Sequence, residues 1–288
     1  MKILIIYHHK TGCVLSKQLI RFYEQVLPNK INNNYYLGRK IKYKDDTVEF
    51  EPIDDFESKA KYEFCYIPSP YYMFPIQEKM SHFDKVIHFI RDPYEQAISN
   101  FNYHLKDPSP EEWFYSVSIN PTKWFPHYKT LLYIFNELDL DIEIIQRAKN
   151  YVEKHFKPDT SLNYYENLKS FKSRALLIET IRFIFDTKDI LRMACIVKHN
   201  KECMNIRMSD FEDESIDNTI KNLSNYIFEE KIHHKEIIDK YKKNVKCRIE
   251  NGNHISNTKE NIKEKQLQQL KNNNIISTIF EKIKSILE

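Results

Sequence analysis

The sequence predicts an α/β protein, a layered fold with a central, mainly parallel sheet flanked by helices and with helix-rich middle and C-terminal parts. Three observations predict it. First, KILIIY (2–7), YEFCYI (62–67) and DKVIHFI (84–90) are short apolar runs with β-branched members, the pattern of strands buried on both faces. Second, the first and third of these runs pass through a short polar turn into a stretch with helical spacing. Third, strands and helices alternate along the chain, which is how parallel sheets are connected.

Each element has a local reason. After the first strand, CVLSKQLIRFYEQVL (13–27) places Val14, Leu15, Leu19, Phe22 and Val26 at helical spacing, and Pro28 ends the helix. Residues 35–53 are polar, and the alternation in IKYKDDTVEFEPI predicts a short hairpin or irregular edge. The second strand stops at PSP, and the third leads through RDP into a helix over EQAISNFNYHL. Residues 107–125 are a proline-rich loop region that holds both tryptophans. From about 127 to 199 the pattern is mostly helical. CMNIRM (203–208) predicts a fourth strand, followed by helices to about 244. RIENGNHISNTKEN (248–261) predicts a loop within a charged helical tail.

Composition narrows the function. The 288 residues are expected to form a single domain over 1–288, with roughly 105–200 as a helical insertion or acceptor-side region. A net charge of +3 gives no case for nucleic-acid binding. The five cysteines (Cys13, Cys65, Cys195, Cys203, Cys247) have neither CxxC nor zinc spacing, which predicts free thiols in a reducing, cytoplasmic setting. No segment approaches 18 apolar residues, and MKILIIYHHK is too short for a signal-peptide core. At the C-terminus, IISTIFEKIKSILE (residues 275–288, within a helix expected over 273–288) aligns Ile275, Ile276, Ile279, Phe280, Ile283, Ile286 and Leu287 on one helical face. Its charges balance, so docking on the protein itself is expected ahead of homodimerisation, and membrane contact ranks last.

Two turns carry the candidate chemistry. The chain has only three glycines, and one of them, Gly12, follows Lys10 and Thr11 where the first strand gives way to a helix. Backbone N–H groups at such a helix start attract anions. Lys10 adds a positive charge, Gly12 permits close backbone approach, and Thr11 and Cys13 add small side chains. The stretch is not a Walker A loop, because the lysine precedes the glycine. In the second turn, Arg91 ends a strand, Asp92-Pro93 open a helix, and Ser99 follows eight residues after the arginine. An arginine and a serine so placed can hold a second phosphate group.

Together, Lys10-Thr11-Gly12-Cys13 and Arg91-Asp92-Pro93 with Ser99 resemble the sulfotransferases that use 3′-phosphoadenosine 5′-phosphosulfate (PAPS), and HHKTG looks most like their bacterial and carbohydrate branch. The resemblance implies a P-loop-like fold and sulfuryl transfer from PAPS to a hydroxyl or amine. The acceptor would be a carbohydrate or glycoconjugate, the product adenosine 3′,5′-bisphosphate (PAP), and no metal would be required. It implies that Lys10, Thr11, Gly12, Cys13 and Val14 cradle the 5′-phosphosulfate, and that Arg91 and Ser99 hold the 3′-phosphate. A late loop that closes over the nucleotide would draw on Arg248, His254, Ser256 and Lys259 around Gly252. Lys10 would neutralise the leaving phosphate, and the general base is open among His8, His9, His104 and Glu24. There are departures: Cys13 stands where the family carries a hydroxyl, and YIPSPYY after the second strand lacks the histidine of the small-molecule branch. The alternatives are a P-loop-type kinase or NTPase and a non-catalytic protein on a nucleotide-binding fold.

Overall fold

A computed structural model describes residues 1–36, 41–44, 47–50, 60–68, 83–125, 128–211, 215–229, 232–250 and 260–288. The chain divides into two units: Met1–Arg91 with Asn200–Ile255, and Asp92–His199 with Ser256–Glu288. The helical stretch expected over 105–200 thus belongs to a unit that starts earlier, at Asp92, and takes in the C-terminal helices.

The first unit is built on a sheet of five parallel strands. These are β1 (Lys2–Tyr7), β2 (Ile31–Tyr36), β5 (Tyr62–Pro68), β6 (Lys85–Ile90) and β7 (Met204–Arg207), in the order β2-β5-β1-β6-β7. The fold is α/β with this sheet flanked by helices. A separate antiparallel hairpin, β3 (Ile41–Lys44) with β4 (Thr47–Phe50), lies within the expected hairpin stretch. The polar segment INNNYY, which does not read as a strand, is the edge strand β2. An edge strand has a neighbour on one side only, so it need not be continuously apolar.

On one face of the sheet lie Ile3 and Ile5 from β1, Tyr62 and Phe64 from β5, Ile87 and Phe89 from β6, and Ile206 from β7. Against them pack α1 (Cys13–Val26), α8 (Ile216–Ile227) and α9 (His234–Glu250), through Leu19, Tyr23, Ile220, Leu223, Ile237 and Tyr241. Alternation puts Leu4, Ile6, His8, Val86, His88 and Ile90 on the opposite face, and these too are buried. Both faces being buried is why the strands read as continuous apolar runs.

The second unit is helical: α2 (Pro93–His104), α3 (Tyr128–Glu137), α4 (Glu143–His155), α5 (Tyr164–Ser170), α6 (Ala175–Arg182), α7 (Asp189–His199), α10 (Glu260–Lys271) and α11 (Asn274–Leu287). Two 3-10 turns, Glu112–Ser116 and Pro121–Trp124, lie in the proline-rich stretch. Three helix starts of this unit are closed by side chains. Asp92 accepts from the Tyr94 and Glu95 amides, Asn163 and Glu166 form a capping box, and Asn273 accepts from the Ile275 and Ile276 amides.

At the centre of this unit is a buried ion pair. Arg182 donates to both oxygens of Glu179, Nη2 to Oε1 at 2.7 Å and Nε to Oε2 at 2.8 Å. Asn100 donates to Oε1 at 3.0 Å and the Tyr164 hydroxyl to Oε2 at 2.6 Å. The guanidinium also lies over the Phe114 and Tyr164 rings, 5.6 and 5.5 Å from their centres. Burial pushes the Glu179 carboxyl up, but Arg182 beside it more than offsets this and holds it well below the usual carboxylate range.

The C-terminal helix α11 docks on its own unit. Ile275, Ile276, Ile279, Phe280, Ile283 and Leu287 are buried, and Ile286 is half-buried. Phe280 meets the Tyr94 ring edge-on at 4.9 Å, and the Tyr94 hydroxyl donates to Glu281 at 2.8 Å. Among the described residues no helix is long and apolar enough to cross a membrane.

Candidate functional site

In an open parallel sheet, ligands bind beyond the carboxyl ends of the strands, where the chain order reverses direction. Here that point is β1. The chain leaves β1 through α1 for β2 and β5 on one side, then crosses to β6 and β7 on the other. The turn after β1 and the residue after β6 therefore sit at the switch point.

The turn is held internally. The Thr11 amide donates to the His8 carbonyl at 3.1 Å, and the Thr11 hydroxyl donates to the same carbonyl at 3.0 Å. The His8 amide donates to the Thr11 hydroxyl at 2.7 Å. Thr11 is fully buried, so its hydroxyl acts as a clasp on the turn. Lys10, third of the four turn residues, has φ 64, a left-handed conformation that carries a backbone penalty for any residue but glycine. Gly12 caps α1 with φ 117 and ψ 19. A Cβ there would lie 2.9 Å from Met208 Sδ and 3.0 Å from Phe89 Cδ1. The glycine is thus required by its backbone conformation and by close packing, independently of the ligand approach expected from the sequence.

The start of α1 differs from that of α2. No side chain caps α1 and its first turn holds no acidic residue, while Asp92 closes α2. The N–H groups of the first α1 turn point along the helix axis with the positive end of the helix dipole. Cys13 is half-buried and Val14 is exposed on that turn. Arg91, at the end of β6, donates from Nη1 to the Lys10 carbonyl at 3.2 Å. The register explains it: Ile6 sits opposite His88, so the β1 turn and Arg91 leave the sheet side by side. Two predicted anion-binding residues, Lys10 and Arg91, are thereby brought together in one unit.

The candidate bases differ in their surroundings. His8 is fully buried and its Nε2 lies 3.0 Å from His88 Nε2. His88 Nδ1 in turn lies 3.1 Å from Asn205 Oδ1. Burial pushes the His88 imidazole down to about 4, against a smaller opposing effect of the Asn205 bond. His9 is half-buried on the turn. Glu24 lies eleven residues after Cys13 on α1, about 16 Å along the axis and so at the far end from the turn. His104 belongs to the helical unit. It is fully buried, 3.0 Å from Glu111 Oε2 and 3.6 Å from Glu179 Oε1, and it stacks on Phe114 at 4.3 Å. Ser99 is half-buried on α2 of the same unit. Arg248 lies within α9, which runs on to Glu250, and the expected late-loop residues Gly252, His254, Ser256 and Lys259 lie outside the described residues.

Sequence reasoning missed His88 and Asn205. A signal was present: a histidine inside VIHFI, a run otherwise fit for burial, must find a polar partner. Cys13, Cys65, Cys195 and Cys203 are free thiols. No family model, curated protein or solved structure matches this chain.

Proposed function

We propose that this protein is a PAPS-dependent sulfotransferase that moves a sulfuryl group to a hydroxyl or amine of a carbohydrate or glycoconjugate. The observation that carries the reading is the Arg91–Lys10 hydrogen bond beside the uncapped start of α1, at the switch point of a parallel sheet. A nucleotide with phosphate at both the 5′ and 3′ positions needs two such cationic loops. In this reading the α1 amides and the Lys10 ammonium hold the 5′-phosphosulfate, and Arg91 takes the 3′-phosphate. As the S–O bond breaks, charge builds on the bridging oxygen, and Lys10 neutralises it. His9, on the turn itself, is the preferred candidate to accept the acceptor proton. The free thiols fit a reducing, cytoplasmic setting.

A second reading, a nucleotide-fold protein without turnover, draws on one feature. The Thr11 hydroxyl is engaged in the turn and Cys13 offers a thiol, so the loop presents less hydroxyl chemistry than the resemblance implies.

The test is calorimetry of PAP binding to the full chain in EDTA, followed by mass spectrometry of candidate glycans incubated with PAPS. Absence of PAP binding at millimolar concentration defeats the sulfotransferase reading. Binding without sulfation of any glycan, phenol or amine tried moves the conclusion to the second reading.

A further inference from the structure

The pairing of His8 with His88 has no place in the chemistry above, and it lies directly beneath the anion turn. Both rings are fully buried and their Nε2 atoms are 3.0 Å apart. At that distance two N–H groups would collide and two lone pairs would repel, so one Nε2 carries a proton and the other accepts it. The third member fixes which. Asn205, exposed on β7, places Oδ1 3.1 Å from His88 Nδ1. An amide oxygen only accepts, so His88 holds its proton on Nδ1 and its Nε2 is an acceptor. His8 must then hold its proton on Nε2.

The other end of this chain is the turn itself. His8 is joined to Thr11 by three hydrogen bonds through its backbone amide and carbonyl. Fixing the His8 ring therefore fixes the residue from which the turn springs. We propose that His8, His88 and Asn205 form a directional hydrogen-bond relay across three adjacent strands, and that Asn205 is the positioning residue that sets both tautomers and holds the anion turn in its binding conformation. The link to nucleotide binding rests on the sulfotransferase reading, whereas the tautomers and the order of the turn do not. Burial of His88 supports the neutral form that the relay needs.

The experiment uses nitrogen-15 spectra of the histidine rings in the full chain at mildly alkaline pH, with amide exchange of Thr11 as a ligand-free readout of the turn. The wild type is expected to show His88 protonated on Nδ1, His8 protonated on Nε2, and a scalar coupling between the two Nε2 nuclei. Asn205→Asp keeps an acceptor and should keep both tautomers. Asn205→Ala removes it, and should mix the tautomers and speed Thr11 exchange at least tenfold relative to the β1 amides. Where PAP binds the wild type, Asn205→Ala should weaken it several-fold and Asn205→Asp should not. His88 protonated on Nε2 in the wild type overturns the relay. So does an Asn205→Ala protein with unchanged tautomers and unchanged Thr11 exchange. Expected tautomers and exchange in a protein that never binds PAP uphold the relay and defeat the nucleotide reading instead.

Discussion

Arg91 Nη1 donates to the backbone carbonyl of Lys10 at 3.2 Å, so the guanidinium braces the conformation of the turn whose lysine it accompanies. Arg91→Ala should therefore have two effects. PAP should bind roughly 10- to 100-fold more weakly, because a charge-assisted hydrogen bond is lost. The ratio of PAP to 5′-AMP affinity should fall too, because 5′-AMP lacks the 3′-phosphate. An unchanged ratio in paired calorimetric titrations removes the 3′-phosphate role from Arg91.

Lys10 separates stability from function. Its φ of 64 favours glycine, so Lys10→Gly should be more stable than Lys10→Ala by about 1 kcal/mol, measured by urea denaturation. Both variants lack the ammonium and, if the protein is the proposed sulfotransferase, should lose turnover alike, by roughly 100-fold or more. Equal stability of the two would place residue 10 in a backbone conformation that alanine tolerates.

Gly12 tests packing under the turn. Gly12→Ala adds a Cβ 2.9 Å from Met208 Sδ and 3.0 Å from Phe89 Cδ1 at φ 117, and should cost about 1–3 kcal/mol. Adding Met208→Ala should relieve the contact with sulfur but leave the φ strain, so a double-mutant cycle should recover only part of the loss. Full recovery would mean that the backbone conformation carries no penalty.

The Glu179–Arg182 pair should dominate the stability of the helical unit. Glu179→Gln leaves the buried guanidinium of Arg182 with Asp186 as its remaining carboxylate, at 2.9 Å, and should cost about 3–5 kcal/mol. A change below 1 kcal/mol in chemical denaturation would show that the pair contributes little beyond its volume. Phe280→Ala on α11 should cost a similar 3–5 kcal/mol, because its ring is fully buried against Tyr94. On the sulfotransferase proposal that variant should bind PAP as the wild type does, because the turn after β1 belongs to the other unit.

Burial of His88 predicts a pH dependence with a definite sign. The imidazole is held down at about 4, against an ordinary value of 6.5, so between these values the unfolded chain binds the proton and the folded chain does not. Stability from this group is fully present above pH 6.5 and is lost as pH falls through 4, by about 3 kcal/mol. His88→Asn should flatten the corresponding limb of a plot of unfolding free energy against pH. A limb of unchanged slope in that variant would assign it to other groups.

The strands β1, β5 and β6, the helix after each of the KTG and RDP turns and the apolar face of α11 were legible because each is written in local periodicity and local turn chemistry. The KTG and RDP turns were legible for the same reason: a lysine, a glycine or a proline acts on the few residues around it. What the residues around Gly12 meet was not legible, since Phe89 and Met208 reach it only after β6 and β7 have taken their places in the sheet. The polar strand β2 escaped notice because an edge position relaxes the apolar pattern by which strands are recognised. His8 and His88 stand 80 residues apart, and only the parallel register of β1 and β6 makes them one hydrogen-bonded pair. Glu179 and Arg182 are three residues apart on one helix, but Asn100 and Tyr164 join them only through helix packing. Sequence alone determined where the apolar strands and the helices after their turns begin, because those choices are made by neighbours along the chain. Tertiary structure decided which buried polar groups share a proton or a charge, because a polar group removed from water must find its partner wherever the fold provides one.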